Sequence, residues 1–518
     1  MQTRAFVALC LKCVKTKKVM NMKSNSRTPS ITPNLTPELS STAIGASALR
    51  KTTLATLVGA TLFLGGCAGS LSNLPKEAQI EMPNAFSVAQ GNEVNSATIS
   101  RESVANGWVS TFGDEEFTRY AKLALENNPD IIGSAAQLKA AVEQVTITGS
   151  SIWPSLAVSG TRTATDTETA GVETKLRTAR AGLDISWEAD LWGRLTQRKR
   201  AAAYTAKAET ELYRSAELSL VANVGRAWYN MVTNKLQVEL AVQRLESFER
   251  TASIIEENYQ RGLRSALDVY LSRSDVQVQI SALADARYNY LRSLRAFKSL
   301  MGQYPDADLE FTAKLPELDV AIPVGLPAEL MERRPDIQAS RFQYKSARAS
   351  AKAAQRDRMP SLSFTGSIGD SRNEFDELFE NDNIVKNLVS GVALPIFQAG
   401  ALRSRAEQAA YQAEAAYAGL VRTSLSAFEE VENAIALEAA LRDQHEALKK
   451  AVDLAQGGLD LALDRYQSGI EDYQTVLQSQ RSVFNSKQNE LNLRNALLQN
   501  RINLHLALGG DFGGETQL

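Results

Sequence analysis

The sequence has 518 residues, a formal net charge of −2 and 22% charged residues. A charge this close to zero gives no support to a nucleic-acid-binding role, which depends on a strongly basic surface. The 44% content of hydrophobic residues also argues against wholesale disorder.

Residues 1–66 are predicted to be a precursor segment that is removed. An apolar run of twelve residues at 53–64 follows Arg50 and Lys51. It is too short to cross a bilayer as a helix and is typical of a secretory signal. The run ends in Leu64-Gly65-Gly66-Cys67, which resembles the lipobox of bacterial lipoprotein precursors. The resemblance implies cleavage before Cys67 and lipidation of its thiol; the alternative is a plain signal peptide with an incidental cysteine.

Removal of this segment changes the charge and the cysteine count. Residues 1–66 carry nine Lys or Arg and one acid, Glu38, so the mature chain has a net charge of −10. It keeps one cysteine, Cys67, which excludes disulfides within the chain and thiolate metal sites. A tether at 67–107 is expected to connect the anchor to the folded part.

The first folded segment, 108–302, mixes helical and strand patterns. Asn128-Pro129-Asp130-Ile131 predicts a helix start, with Asn as N-cap and Pro at the first helical position. Residues 178–187 alternate apolar and polar side chains, which predicts a strand of the length seen in outer-membrane proteins. Residues 156–162 predict a weaker partner strand, so the β-hairpin spans about 155–190. The polar stretch 163–175 is predicted to be a loop between the strands.

A long helical hairpin is predicted to follow the strands. A helix of roughly 65 residues, about 100 Å long, is expected to end near Tyr259. Gly262 can adopt the left-handed conformation that closes a helix, and Ser265 with Asp268 predicts the N-cap of the returning helix. Gly262 to Ser265 therefore form the tip of the hairpin.

The pattern is then repeated. The tip sequence recurs at 466–476 with an offset of 207 residues, and Arg334-Pro335-Asp336-Ile337 answers the earlier helix start with an offset of 206. This indicates an internal duplication. The second copy covers 328–510, with a β-hairpin at about 361–396 and a tip at 469–472; 303–327 is the linker and 511–518 a tail.

One chain cannot form a closed membrane structure with these elements. Four strands leave unsatisfied edge groups in lipid, and closed outer-membrane barrels begin at about eight strands. Long amphipathic helices without a bulky core also need neighbours. Either several copies associate, or the strands are not in the membrane.

Taken together, the lipobox, the duplication, Asn128-Pro129-Asp130-Ile131, Asp190-Leu191-Trp192-Gly193, the tips and Leu508-Gly509-Gly510 resemble the TolC-like outer-membrane efflux proteins. The closer resemblance is to their lipoprotein branch, the OprM and NodT-like factors of RND-type pumps. It implies a mixed α/β membrane protein in which duplicated helical hairpins form a periplasmic α-barrel. Four transmembrane strands per chain then complete a twelve-stranded β-barrel in a homotrimer. It further implies a passive duct without a cofactor, anchored in outer-membrane lipid and recruited by a periplasmic adaptor and an inner-membrane pump.

The same resemblance assigns roles to residues at the tips. Contact with the adaptor falls to the first tip and the second tip, namely Gly262, Leu263, Arg264, Ser265, Gly469, Ile470, Glu471 and Asp472. The periplasmic gate falls to Tyr466, Gln474, Thr475, Gln478 and Arg481. Relatives carry acidic residues where this chain has Gln474, Thr475 and Gln478, so cation binding at the gate is in doubt unless Glu471 and Asp472 substitute. Simple capping turns and ordinary surface contacts are the competing interpretations.

The remaining tryptophans, histidines and glycines of note are expected to have lesser roles. Trp153, Trp187 and Trp192 lie at predicted strand ends and suit either the membrane interface or packing beneath the sheet. His445 and His505 have no ligand-like spacing and are expected to be surface or packing residues. The glycine-rich stretch after Leu508 lacks the strand-to-helix context of a phosphate loop.

Two functions of different classes remain. The leading one is an export duct; the alternative is a lipid-anchored periplasmic coiled-coil scaffold without a pore. An enzyme is not expected, because the sequence offers no Ser/His/Asp order, metal motif or paired carboxylates on a compact domain.

Overall fold

The structure is a computed structural model, and it describes residues 107–318, 327–373, 378 and 384–510. The predicted precursor, the lipidation at Cys67, most of the tether, the linker residues 319–326 and the tail 511–518 lie outside the described residues.

Two long helical hairpins, four shorter helices and one four-stranded sheet make up the described part, preceded by a 3-10 turn at Trp108–Phe112. The helices are α1 Glu115–Asn127, α2 Pro129–Ser150, α3 Arg194–Gln260, α4 Ala266–Leu300, α5 Pro327–Arg333, α6 Pro335–Arg356, α7 Ala401–Gln467 and α8 Tyr473–Ala507. The strands are β1 Ser155–Thr169, β2 Val172–Ala189, β3 Ser361–Arg372 and β4 Val385–Ala393.

Local sequence explains where the helices begin. At the start of α2, Asn128 Oδ1 accepts hydrogen bonds from the backbone N–H groups of Asp130 and Ile131 at 2.8 and 3.3 Å. Pro129 occupies the first turn, where its missing N–H costs nothing. The helices α3 and α7 each run for 67 residues without a proline, which corresponds to about 100 Å.

The sheet is antiparallel with the order β1-β2-β3-β4, so the outer edges of β1 and β4 have no partner strand in the part of the chain that the structure describes. Register aligns Leu156 with Ile185, and Ile185 in turn with Gly366 and Leu388. Leu156, Ile185 and Leu388 are 69%, 43% and 76% exposed, so one face of the sheet presents apolar side chains to its surroundings.

The predicted loop at 163–175 is wrong, because most of it belongs to the strands. Strand β1 stays paired with β2 as far as Thr169, which lies opposite Val172. A two-residue turn at Ala170–Gly171 connects the two strands. Both turn residues have positive φ, 53° and 82°, as the tight hairpin turns that match strand twist require. Polar side chains do not prevent pairing, because the ladder is made by backbone hydrogen bonds. The prediction from side-chain alternation therefore made the hairpin too short.

The largest core surrounds the N-terminal helix α1 about midway along the long helices. Trp228 of α3 is 2% exposed, and its Nε1 donates to Asp114 at 2.8 Å. His505 of α8 is 2% exposed and stacks on Trp108 with ring centroids 5.3 Å apart. His505 is therefore a packing residue, and burial lowers its pKa to about 3, with the positive charge of Arg501 adding to the effect.

A separate core holds the two tips together. It is formed by side chains from α3, α4, α7 and α8, including Phe248, Ile255, Val269, Tyr466 and Val476. The two hairpins therefore pack against each other at the tip end.

None of the helices in the described ranges combines the length and the apolar character needed to cross a membrane.

Candidate functional site

The two tips have the same backbone geometry. In the first, the N–H of Gly262 donates to the carbonyl of Tyr259 at 2.8 Å and that of Leu263 to Asn258 at 2.9 Å. In the second, Gly469 and Ile470 make the matching bonds to Tyr466 and Arg465 at 3.0 and 2.9 Å. This pair of bonds is the Schellman motif, which requires a left-handed residue. Gly262 and Gly469 supply it, with φ of 75° and 76°.

Each tip is followed at once by an N-cap. Ser265 Oγ accepts from the N–H of Asp268 at 3.3 Å, whereas Asp472 Oδ1 accepts from the N–H and the hydroxyl of Thr475 at 2.9 and 3.0 Å. The backbone and side-chain hydrogen bonds from Thr475 hold the pKa of Asp472 below its usual value. Asp472 is therefore a capping carboxylate in this structure.

Capping does not explain the apolar side chains on the tips. Leu263 is 67% exposed and Ile470 is 73% exposed. Leu267 and Tyr270, on the first turns of α4, are 64% and 73% exposed and were missed by sequence reasoning. Within α4 they are three residues apart and so share one helical face, and apolar side chains at this spacing directly after the tip are the signal that could have identified them.

Arg264 connects the first tip to the second hairpin. One of its Nη atoms donates to the backbone carbonyl of Tyr466 at 2.8 Å, and the guanidinium carbon lies 4.3 Å from the centre of the Tyr466 ring. The Tyr466 side chain is 1% exposed, and its hydroxyl makes no hydrogen bond within the described residues. Burial raises the pKa of Tyr466, although Arg264 acts in the opposite direction.

A second connection between the hairpins lies at Asp275 of α4, farther from the tip than Arg264. Its carboxylate accepts from Arg481 at 2.8 Å and from the Tyr473 hydroxyl at 3.1 Å, and both donors belong to α8. Arg481 was expected at the gate, but its acceptor Asp275 and the second donor Tyr473 were not. Asp275 is 8% exposed, and a carboxylate on the inward face of α4 between Ser272 and Gln279 was the available signal.

The gate residues of α8 fall into two groups. The side chains of Gln474 and Gln478 are exposed, whereas Thr475 is half-buried and its hydroxyl is shared between Asp472 at 3.0 Å and Glu471 at 3.3 Å. Glu471 also lies 3.6 Å from Arg465. The acidic groups of the second tip are thus engaged in capping and pairing.

The described residues contain no group of three or more His, Cys, Asp or Glu arranged to hold a metal ion. His445 lies 3.4 Å from Glu490 as a part-exposed pair.

Sequence comparison relates this chain to known outer-membrane efflux proteins. The family model for outer membrane efflux proteins matches residues 120–303 and 326–510, which is both copies of the repeat. The cation efflux system protein CusC of Escherichia coli O6:H1 is 27% identical over 450 residues, covering 87% of this chain and 96% of the relative. A probable efflux pump outer membrane protein of Pseudomonas putida, SepC, is 30% identical over 353 residues, covering 67% of this chain and 73% of the relative.

Solved structures agree with this assignment. A crystal structure of CusC, determined in relation to transmembrane channel formation, superposes with a TM-score of 0.75 at 26% identity and covers 84% of this chain and 99% of that one. The duplicated hairpins and the four-stranded sheet are thus the fold of these channels. The chain is therefore an outer-membrane protein of an efflux system, and it belongs to the outer membrane efflux protein family.

Proposed function

We propose that this protein is the passive outer-membrane duct of a tripartite efflux system and that its periplasmic helical tips form the gate. The observation that carries the proposal is the sheet. It has two unpaired edges and an apolar face with side chains such as Val158 and Leu388 that are 84% and 76% exposed. Unpaired backbone groups are tolerated in lipid only when other strands complete the sheet.

A homotrimer would remove both edges. The β4 edge of one copy would pair with the β1 edge of the next, and three copies would give twelve strands in a closed barrel. The long helices would continue the duct into the periplasm, and a lipid on Cys67 would anchor each copy. Trp153, Trp187 and Trp192 would then lie near the periplasmic interface of the outer membrane, where their amphipathic rings are favoured.

Opening of the gate would separate the two hairpins of each chain. Besides the hydrophobic core of the tips, two polar connections at the predicted site residues oppose that separation. They are Arg264 to Tyr466 at the tips and Asp275 to Arg481 and Tyr473 farther along the helices. These connections join hairpins rather than helices within a hairpin, so they would break when the tips move apart. Gln474 and Gln478 would line a polar, uncharged constriction, which does not favour a cation site there.

The exposed apolar tips suit contact with another protein. Leu263 and Ile470 would be buried by the ends of a periplasmic adaptor, which in turn recruits an inner-membrane pump of the RND type. Because the duct itself supplies no energy, the pump would select the cargo, and we expect small-molecule substrates. The chain is a non-catalytic transport component in this reading.

The test is single-channel conductance of the purified protein in a planar bilayer, together with its mass in detergent. Discrete openings from a species with the mass of three chains are expected. A monomer without conductance that stays soluble after removal of the lipid would instead establish the lipid-anchored coiled-coil scaffold.

A further inference from the structure

Basic residues are concentrated where the helices meet the sheet. The first fifteen residues of α3, 194–208, contain five Lys or Arg and no acid, whereas 209–260 contain eight acids and five bases. These fifteen residues extend about 22 Å from the strand end. The change of sign along one helix shows that the positive charge is local.

The neighbouring helices repeat this distribution at the same end of the sheet. Strand register brings the start of β1, the end of β2, the start of β3 and the end of β4 together. The last sixteen residues of α6, 341–356, lead into β3 and contain five Lys or Arg and no acid. Arg403 and Arg405 lie in the first two turns of α7, the helix that follows β4. We call this set of basic residues on α3, α6 and α7 the basic collar.

Helix stability accounts for cations at the C-terminal end of α6, but not for those at the starts of α3 and α7. Cations at a helix N-terminus oppose the helix macrodipole, which favours acidic residues there. Acidic residues do occupy the first turns of α1, α2, α4 and α6, but neither α3 nor α7 has one. The two 67-residue helices therefore carry cations at the ends where the dipole disfavours them. Arg194 and Arg403 in the first turns pair with Glu188 and Glu407, whereas the next turns add cations that helix stability does not require.

Part of the basic collar is free to bind a partner. Asp357 accepts from Arg194 and Arg198 at 3.3 and 3.0 Å, which fixes α3 against the end of α6. Lys199, Arg200 and Arg405 are exposed and make no ion pair within the described residues.

The exposed apolar residues between the basic collar and the sheet indicate the kind of partner that the collar binds. Trp153 and Leu191, next to the ends of β1 and β2, are 71% and 63% exposed, and the apolar face of the sheet continues from them. An apolar surface, then a tryptophan, then exposed cations is the order expected from acyl chains through the interface to headgroups.

We propose that the basic collar binds anionic phospholipid headgroups in the periplasmic leaflet of the outer membrane. The inference rests on the proposed membrane position of the sheet. Binding would fix the depth of the duct in the membrane and would offset the repulsion among the cations of neighbouring chains. A soluble anion in the periplasm would use the same charges, but would gain nothing from the adjacent apolar surface.

The experiment uses the tryptophans as reporters. Trp108 and Trp228 are buried at 1% and 2% exposure, so quenching by lipid bromine atoms would report on the three exposed tryptophans near the basic collar. The full chain is reconstituted in phosphatidylcholine vesicles that contain a minor fraction of either brominated phosphatidylglycerol or brominated phosphatidylcholine. We expect stronger quenching by the phosphatidylglycerol, and less of this preference at high salt because of screening.

The triple substitution Lys199→Gln, Arg200→Gln and Arg405→Gln is expected to remove the preference. About fivefold in affinity is expected per basic residue near a charged surface, and so roughly 100-fold for three. The matched control, Arg250→Gln with Lys449→Gln and Lys450→Gln, removes the same charge from exposed positions far from the strands and should keep the preference.

Three outcomes would overturn the proposal. One is equal quenching by the two brominated lipids; another is an equal loss in the control variant. The third is full competition by soluble glycerol phosphate, which would identify a free-anion site. Quenching by brominated phosphatidylcholine reports insertion of the sheet separately, so its absence would contradict the proposed duct and not only the collar.

Discussion

The connection between Asp275 and Arg481 offers the sharpest test of the gate. Asp275→Asn removes the charge of the carboxylate and keeps its size, so the packing of α4 against α8 is preserved. The variant weakens the 2.8 Å bond from Arg481 and the 3.1 Å bond from Tyr473. Because both donors belong to the second hairpin, the closed arrangement should lose stability relative to the open one.

The magnitude follows from the exposure of the partners. Hydrogen bonds to charged groups contribute about 1.5–3 kcal/mol. The Arg481 side chain is 53% exposed, so solvent screening reduces the value to about 1 kcal/mol per chain. If three chains open together, the closed state loses about 3 kcal/mol, which raises the ratio of open to closed channels roughly 100-fold.

The assay is the open probability of single channels in a planar bilayer. Arg273→Gln is the matched control, because Arg273 pairs with Glu256 at 2.7 Å inside the first hairpin and does not join the two hairpins. An open probability that is unchanged in Asp275→Asn, or raised equally in Arg273→Gln, would refute the assignment of this connection to the gate.

Three further predictions concern the tips, the core and α7. Valine at Gly262 or Gly469 is strained by about 1–2 kcal/mol at positive φ, so efflux in a drug-susceptibility assay should fall while cross-linked trimers persist. His505 is neutral in the folded protein because its pKa is about 3, so the free energy of unfolding should fall as pH drops below about 6.5, by about 2 kcal/mol near pH 5. The variant His505→Gln should flatten the dependence of the unfolding midpoint on pH. Gly457 and Gly458 of α7 both have open space for a Cβ, so replacing the two with alanine should raise the free energy of unfolding by about 1–2 kcal/mol.

Each of these has a control within the chain. Asn at Gly262 tolerates positive φ and should retain efflux, so a loss as large as that of valine would point to side-chain size instead of backbone strain. The His505 interpretation fails if the variant keeps the pH dependence. Gly419, also helical with open space, should give about half the gain of the glycine pair when replaced by Ala.

The sequence was sufficient for features that depend on neighbouring residues. The N-cap at Asn128 and the tips at Gly262 and Gly469 could be predicted, because a left-handed glycine followed by a capping side chain ends one helix and begins the next. The duplication followed from a fixed offset. The strands were recognised by alternation, but their length was not, since pairing of the polar segment 163–175 depends on backbone bonds across the hairpin.

Tertiary structure decided which distant residues meet. Asp275 and Arg481 are 206 positions apart, and no local pattern shows that α4 and α8 lie side by side at that height. The same holds for Arg264 and the carbonyl of Tyr466. The basic collar illustrates the division most clearly. Its charges are visible in the sequence, but their gathering at one edge of the sheet depends on the strand register, which brings the ends of α3, α6 and α7 together.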